Sequence, residues 1–228
     1  MNTQRSARTF LAALCIALVS GCATPAAEHF YTVSTARSTS LAGTEPPRIA
    51  LAPIAIPAIL DRPQLVVRTS GHELQVLENH RWAEPLALDL TRALVDELNR
   101  APTGIQVVEA TAAQARATPL VLEVTISELA VGPGQSVSLQ ATWVLRDRQR
   151  TCIRIGRIAV EIPTQDGYSA IPTAYASAMA RLAGPIAQTI EQDSSCGLSA
   201  DARERELDAS VDRAGRRRAA RGARTEVD

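Results

Sequence analysis

The side chains that could do chemistry in this chain of 228 residues are few. Three histidines, four cysteines and dispersed carboxylates are the candidates for acid–base, nucleophilic or metal chemistry. His29, His72 and His80 stand at no metal-ligand spacing from one another, and no His-Glu-x-x-His occurs. There is no Gly-x-Ser-x-Gly elbow and no phosphate loop. Gly132-Pro133-Gly134 is glycine-rich, but its proline lacks the N–H that a phosphate would need, so a β-turn is expected there. Asp61 and Glu84 lie close to arginines in sequence, which suits surface pairing or capping better than shared proton chemistry. These residues support no enzyme, no metal and no cofactor.

The cysteines offer more. Arg5 and Arg8 precede a mostly apolar run from Phe10 to Val19. That run is shorter than the roughly 20 residues a spanning helix needs, and it fits the apolar core of a secretory signal. It ends in Val19-Ser20-Gly21-Cys22, which resembles the lipobox of bacterial lipoproteins. The resemblance implies cleavage before Cys22, diacylglycerol on its sulfur and a further acyl chain on the new amino group. At about 0.8 kcal/mol per buried methylene, two or three chains make release from a membrane negligible. Ala23 follows the cysteine. In enteric bacteria an aspartate at that place retains lipoproteins in the inner membrane, so alanine favours the periplasmic face of the outer membrane. Cys15 leaves with the signal. Cys152 and Cys196 remain as an even pair in an oxidising compartment. They are either a disulfide, worth about 4 kcal/mol in the chain-entropy model, or two free thiols.

Composition narrows the partners. Basic and acidic residues balance at 24 each, which gives no electrostatic case for nucleic acid. Aromatics make up 3% of the chain, too few for stacking platforms for bases or sugars.

The elements follow from periodicity. Phe30-Tyr31-Thr32-Val33 has strand propensity, and residues 34–47 read as a linker. Arg48 to Ile56 predicts a strand broken at Pro53. Leu65 to Arg68 and Glu73 to Glu78 predict two short strands joined at Gly71. From Pro85 the period changes: Leu86, Leu90, Leu94 and Leu98 recur every four residues, with Asp89, Arg92, Asp96 and Glu97 mostly off the stripe. This predicts an amphipathic helix with Pro85 in its first turn. A short strand over Ile105 to Val108 precedes an antiparallel meander of three alternating segments near 120–126, 137–145 and 153–162. The parity of the last segment changes near Gly156, which predicts a bulge. A second helix runs from about Thr173 to Gln192 and is expected to kink at Gly184-Pro185. The sum is one α/β (α+β) domain: a mixed, largely antiparallel sheet packed by two main helices. Its boundaries are a signal at 1–21, a lipidated tether at 22–29, the domain at 30–198 and a charged tail at 199–228. That tail, with Arg216, Arg217, Arg218, Arg221 and Arg224, has too little apolar surface to fold alone.

Three motifs stand in order: Phe30-Tyr31-Thr32-Val33; Ile56-Pro57-Ala58-Ile59-Leu60-Asp61-Arg62-Pro63-Gln64; and Arg81-Trp82-Ala83-Glu84-Pro85-Leu86. They resemble the ABC-type transport auxiliary lipoproteins, the PqiC-like group, over roughly residues 30–192. The resemblance implies an α/β domain without catalysis and without a cofactor. It implies a partner as well: a periplasmic MCE-domain protein of a lipid-moving ABC system, whose outer end the lipoprotein would dock, alone or as a ring of copies. Pro57, Asp61, Arg62, Pro63, Arg81 and Trp82 are the docking candidates. Trp82 is either a docking anchor or a core residue packed on its own sheet, and Asp61-Arg62 either docks or closes a local turn. The alternative function is an outer-membrane lipoprotein that regulates or scaffolds peptidoglycan synthesis or other envelope machinery. A hydrolase with an unrecognised site is a third, weaker reading.

Overall fold

The structure is a computed structural model and describes residues 27–34, 48–110, 118–132, 136–147 and 153–192. Cys22, Cys152, Cys196 and the charged tail lie outside the described residues, as do Pro133 and Gly134 of the expected β-turn.

Among the described residues, eight strands form two sheets. In chain order they are β1 (His29–Tyr31), β2 (Arg48–Leu51), β3 (Gln64–Ser70) and β4 (Glu73–Trp82), then, after helix α1 (Leu86–Arg100), β5 (Gln106–Glu109), β6 (Leu120–Val131), β7 (Ser136–Asp147) and β8 (Ile153–Pro163). A 3-10 turn, Tyr168–Ala170, leads into helix α2 (Ile171–Gln192). The smaller sheet has the order β1-β4-β3 and the larger β5-β2-β6-β7-β8. β2 runs parallel to both β5 and β6, while β6, β7 and β8 form the antiparallel meander. The fold is therefore α+β and mixed, with its strands divided between two sheets.

The core explains the elements. Leu86, Leu90, Leu94 and Leu98 of α1 are each at most 1% exposed, which makes the four-residue repeat the buried stripe of the helix. Each such side chain contributes roughly 2 kcal/mol by leaving water. Ala178, Met179, Leu182 and Ile186 of α2 are fully buried and pack into the same core. Helix α2 runs through Gly184-Pro185 as one element, although Pro185 cannot donate to the turn before it. β2 is short because Pro53 follows it; the chain returns to the sheet only at Ala55, which bridges Thr125.

Two expectations change. Pro85 is the cap preceding α1, with φ −53° and ψ 124°, and its carbonyl accepts the N–H groups of Leu88 and Asp89 at 3.0 and 3.1 Å. The bulge expected near Gly156 is absent: β7 and β8 pair in unbroken register from Ser136–Pro163 to Arg146–Ile153. Gly156 sits opposite Trp143, where a Cβ would lie 2.1 Å from the indole Cζ2, so the glycine makes room for the ring. With the register kept, Ile153 and Ile155 stay on the outer face, 45% and 67% exposed. The irregularity in the meander lies instead between Ile126 and Glu128 of β6.

Candidate docking surface

The three sequence motifs meet at one corner of the fold. Before β3 the chain closes tight turns: the N–H groups of Leu60, Asp61 and Arg62 donate to the carbonyls of Pro57, Ala58 and Leu60 at 2.9, 3.3 and 2.9 Å. Pro63 then accepts the Trp82 N–H at 2.7 Å, and Tyr31 accepts the Ala83 N–H at 2.8 Å. The end of β4 is thus held from both sides just before α1 begins.

Helix α1 completes the corner through two acids seven residues apart, and therefore on one face. Asp89 is 0% exposed. Its carboxylate accepts the N–H groups of Val33 and Ser34 at 2.6 and 2.9 Å and the Thr32 hydroxyl at 3.1 and 3.2 Å. Asp96 accepts the Ser34 hydroxyl at 3.3 Å. Asp89 also lies in the first helical turn, where the aligned peptide dipoles favour a negative charge. The leucine repeat places Asp89 and Asp96 mostly off the stripe; their seven-residue spacing, each three residues after Leu86 or Ala93, is the signal for a shared polar task.

The structure separates the docking candidates. Trp82 is 5% exposed and stacks on Tyr175 of α2 with ring centres 5.5 Å apart. It is a core residue and offers no docking surface, because its strand face turns towards α2. Arg81 points to the opposite face, half-buried, with its guanidinium 3.5 Å from Glu28 and bonded to the Glu78 carbonyl. Phe30, Arg81 and Gln64 form one row across β1, β4 and β3. Phe30 is 62% exposed, the one large aromatic side chain of the motifs left on the surface. In the neighbouring turn Asp61 and Pro63 are exposed, Ile59 is 38% exposed, and Pro57 and Arg62 are half-buried. The Arg62 Nε is buried without a hydrogen-bond partner.

The family described as the ABC-type transport auxiliary lipoprotein component matches residues 31–187. The chain belongs to this family of auxiliary lipoproteins. Among solved structures, an uncharacterized protein is similar at 20% identity and TM-score 0.61, over 72% of this chain and 99% of its own. A protein from Xanthomonas campestris is similar at 20% identity and TM-score 0.53, over 73% and 99%. No curated protein matches the sequence significantly. The auxiliary lipoprotein has, among the described residues, no group of three or more His, Cys, Asp or Glu able to hold a metal and no helix long and apolar enough to cross a membrane.

The auxiliary lipoprotein also gathers rings that the sequence left apart. His29 and His80 pair in register and stack with centres 5.0 Å apart. The Tyr31 hydroxyl lies 2.8 Å from His80 Nδ1, and Tyr168 meets the His80 ring edge-on at 4.7 Å. Burial, and then the neighbouring His29, hold the His80 pKa below its usual value; burial raises that of the Tyr31 phenol. The stacked, nearly parallel imidazoles, 12° apart, do not converge on a common point as ligands of one metal would. Tyr168 also lines a pocket of about 180 Å³ with Val67, Val131 and Ile171, below the ordinary size of a small-molecule site.

Proposed function

We propose that this lipoprotein is the docking subunit of an ABC-type lipid transport system. It is anchored through acylated Cys22 on the periplasmic face of the outer membrane and receives an MCE-domain protein there, alone or as a ring of copies. The observation that carries this reading is the convergence of the three motifs on one corner, braced by Asp89, with Phe30 left 62% exposed beside Arg81. A braced surface with a phenylalanine beside an arginine has a composition enriched at protein–protein interfaces. The turn carrying Asp61, Arg62 and Pro63 extends that surface and is stiffened by its own hydrogen bonds.

Crosslinking in intact envelopes followed by pull-down of the lipoprotein tests the reading. An MCE-domain protein should be captured, and Phe30→Ala should reduce the capture at least fivefold while the protein remains folded. Capture of a peptidoglycan synthase with no MCE-domain protein would favour the scaffold reading instead.

A further inference from the structure

Among the described residues β8 ends the larger sheet, with β7 on one side and no strand on the other. It is eleven residues long, and from Ile153 to Glu161 its residues are exposed or half-exposed. A long open edge of this kind is a template for another strand, and the order of side chains along β8 says which one.

The outer face carries Ile155, Arg157, Ala159, Glu161 and Pro163; the inner face carries Gly156, Ile158, Val160 and Ile162. In an antiparallel pair, residues directly opposite each other lie on the same face. A second β8 laid antiparallel about a two-fold axis at Ala159 brings Arg157 of each copy opposite Glu161 of the other. It also sets Ile158 opposite Val160, Gly156 opposite Ile162, and exposed Ile155 opposite Pro163. The small Ala159 meets its own copy on the axis. No other centre does as well: one at Arg157 sets that arginine against itself, and one at Ile158 makes no ion pair. Within the chain, among the described residues, neither Arg157 nor Glu161 has an ion-pair partner.

We propose that β8 is a homodimer interface, in which two copies of this chain join their larger sheets edge to edge about Ala159. The contact is isologous, so it closes at two copies. It uses the edge of the larger sheet and leaves the Phe30 corner on the smaller sheet. Lipid anchors would favour it further by holding copies at high local concentration on one surface. The dimer does not depend on the transport reading.

Sedimentation equilibrium on the chain from residue 22 onward, carrying Cys22→Ser, tests the proposal. A monomer–dimer equilibrium is expected. Glu161→Arg and Arg157→Glu, both surface changes, should each weaken it at least tenfold, and the combined charge swap should restore it. Ala159→Cys should form a disulfide between copies, because opposed Cα atoms in an antiparallel pair stand at bridging distance; peptide mapping would separate it from any bond of Cys152 or Cys196. A chain monomeric throughout, with the edge open or covered by its own C-terminal segment, overturns the proposal. So does a larger ring indifferent to both charge reversals, or failure of the swap to restore pairing.

Discussion

The Asp89 carboxylate in the first turn of α1 accepts the backbone N–H of Val33 at 2.6 Å, out of contact with water. One helical side chain thereby fixes the segment that follows β1. Bonds to a buried charged group are worth more than neutral ones, and their loss strands the donors. Asp89→Ala is expected to lower the unfolding free energy by about 3 kcal/mol in urea titration. The amides of Tyr31 to Ser34 should lose hydrogen-exchange protection ahead of the rest of the domain.

Gly156→Ala should be costly although β8 is an edge strand. The new methyl would overlap Trp143, which is 4% exposed and cannot move outwards freely. Overpacking of this kind costs about 1–3 kcal/mol. Thermal unfolding should show the loss, and Trp143→Leu in the same chain should recover part of it. Strict additivity of the two changes would contradict the contact.

Trp82 and Phe30 should part company under substitution. Trp82→Ala empties a core site against Tyr175 and should cost about 3–5 kcal/mol of stability. Phe30→Ala should leave the unfolding free energy within about 0.5 kcal/mol of the parent, as surface changes do. Its effect should fall on partner capture.

Acid should loosen β1. His80 titrates below its unfolded value because burial and His29 disfavour its charged form. The unfolded chain then binds more protons than the folded one in that window, so stability is complete above the unfolded value near 6.5 and falls as pH drops through the lower folded value. Hydrogen exchange at His29 to Tyr31 should quicken below about pH 6.5 relative to that in α2. His80→Phe should remove the pH dependence.

Cys22→Ser should move the protein from the membrane to the soluble fraction on cell fractionation. Continued sedimentation with membranes would mean that a partner, and no acyl chain, holds it there. Mass mapping without reductant, finding Cys152 and Cys196 joined or free, decides between the two states left open for them.

Local pattern accounts for what the sequence disclosed. The leucines of α1 advertise their burial because a period near 3.6 and a single apolar stripe leave little choice. The alternation in β6 and β7 does the same for the meander. The candidate site was less legible because its geometry is made by distant pairings. The bonds Pro63–Trp82 and Tyr31–Ala83 join motifs that the sequence shows only as separate runs. Asp89 was hidden because a carboxylate usually marks the solvent side, and only its bonds to Thr32, Val33 and Ser34 reverse that rule. Gly156 misled for a related reason: a change of parity normally signals a bulge, whereas here two isoleucines are left outside and the glycine accommodates an indole.

The parallel pairing of β1 with the end of β4 has a mechanical consequence. The chain reaches His29 from the direction of the Gly71 turn and continues towards the start of α1. Tension applied at the N-terminus along that line draws β1 lengthwise past β4, so its hydrogen bonds share the load instead of unzipping one by one. Whatever load passes β1 arrives next at the Asp89 carboxylate, and from there it enters a helix seated in the core. On the anchoring proposed through Cys22, this load path would make the fold a cleat for its own mooring line, with the Phe30 surface on the sheet that takes the load and the Ala159 edge on the other.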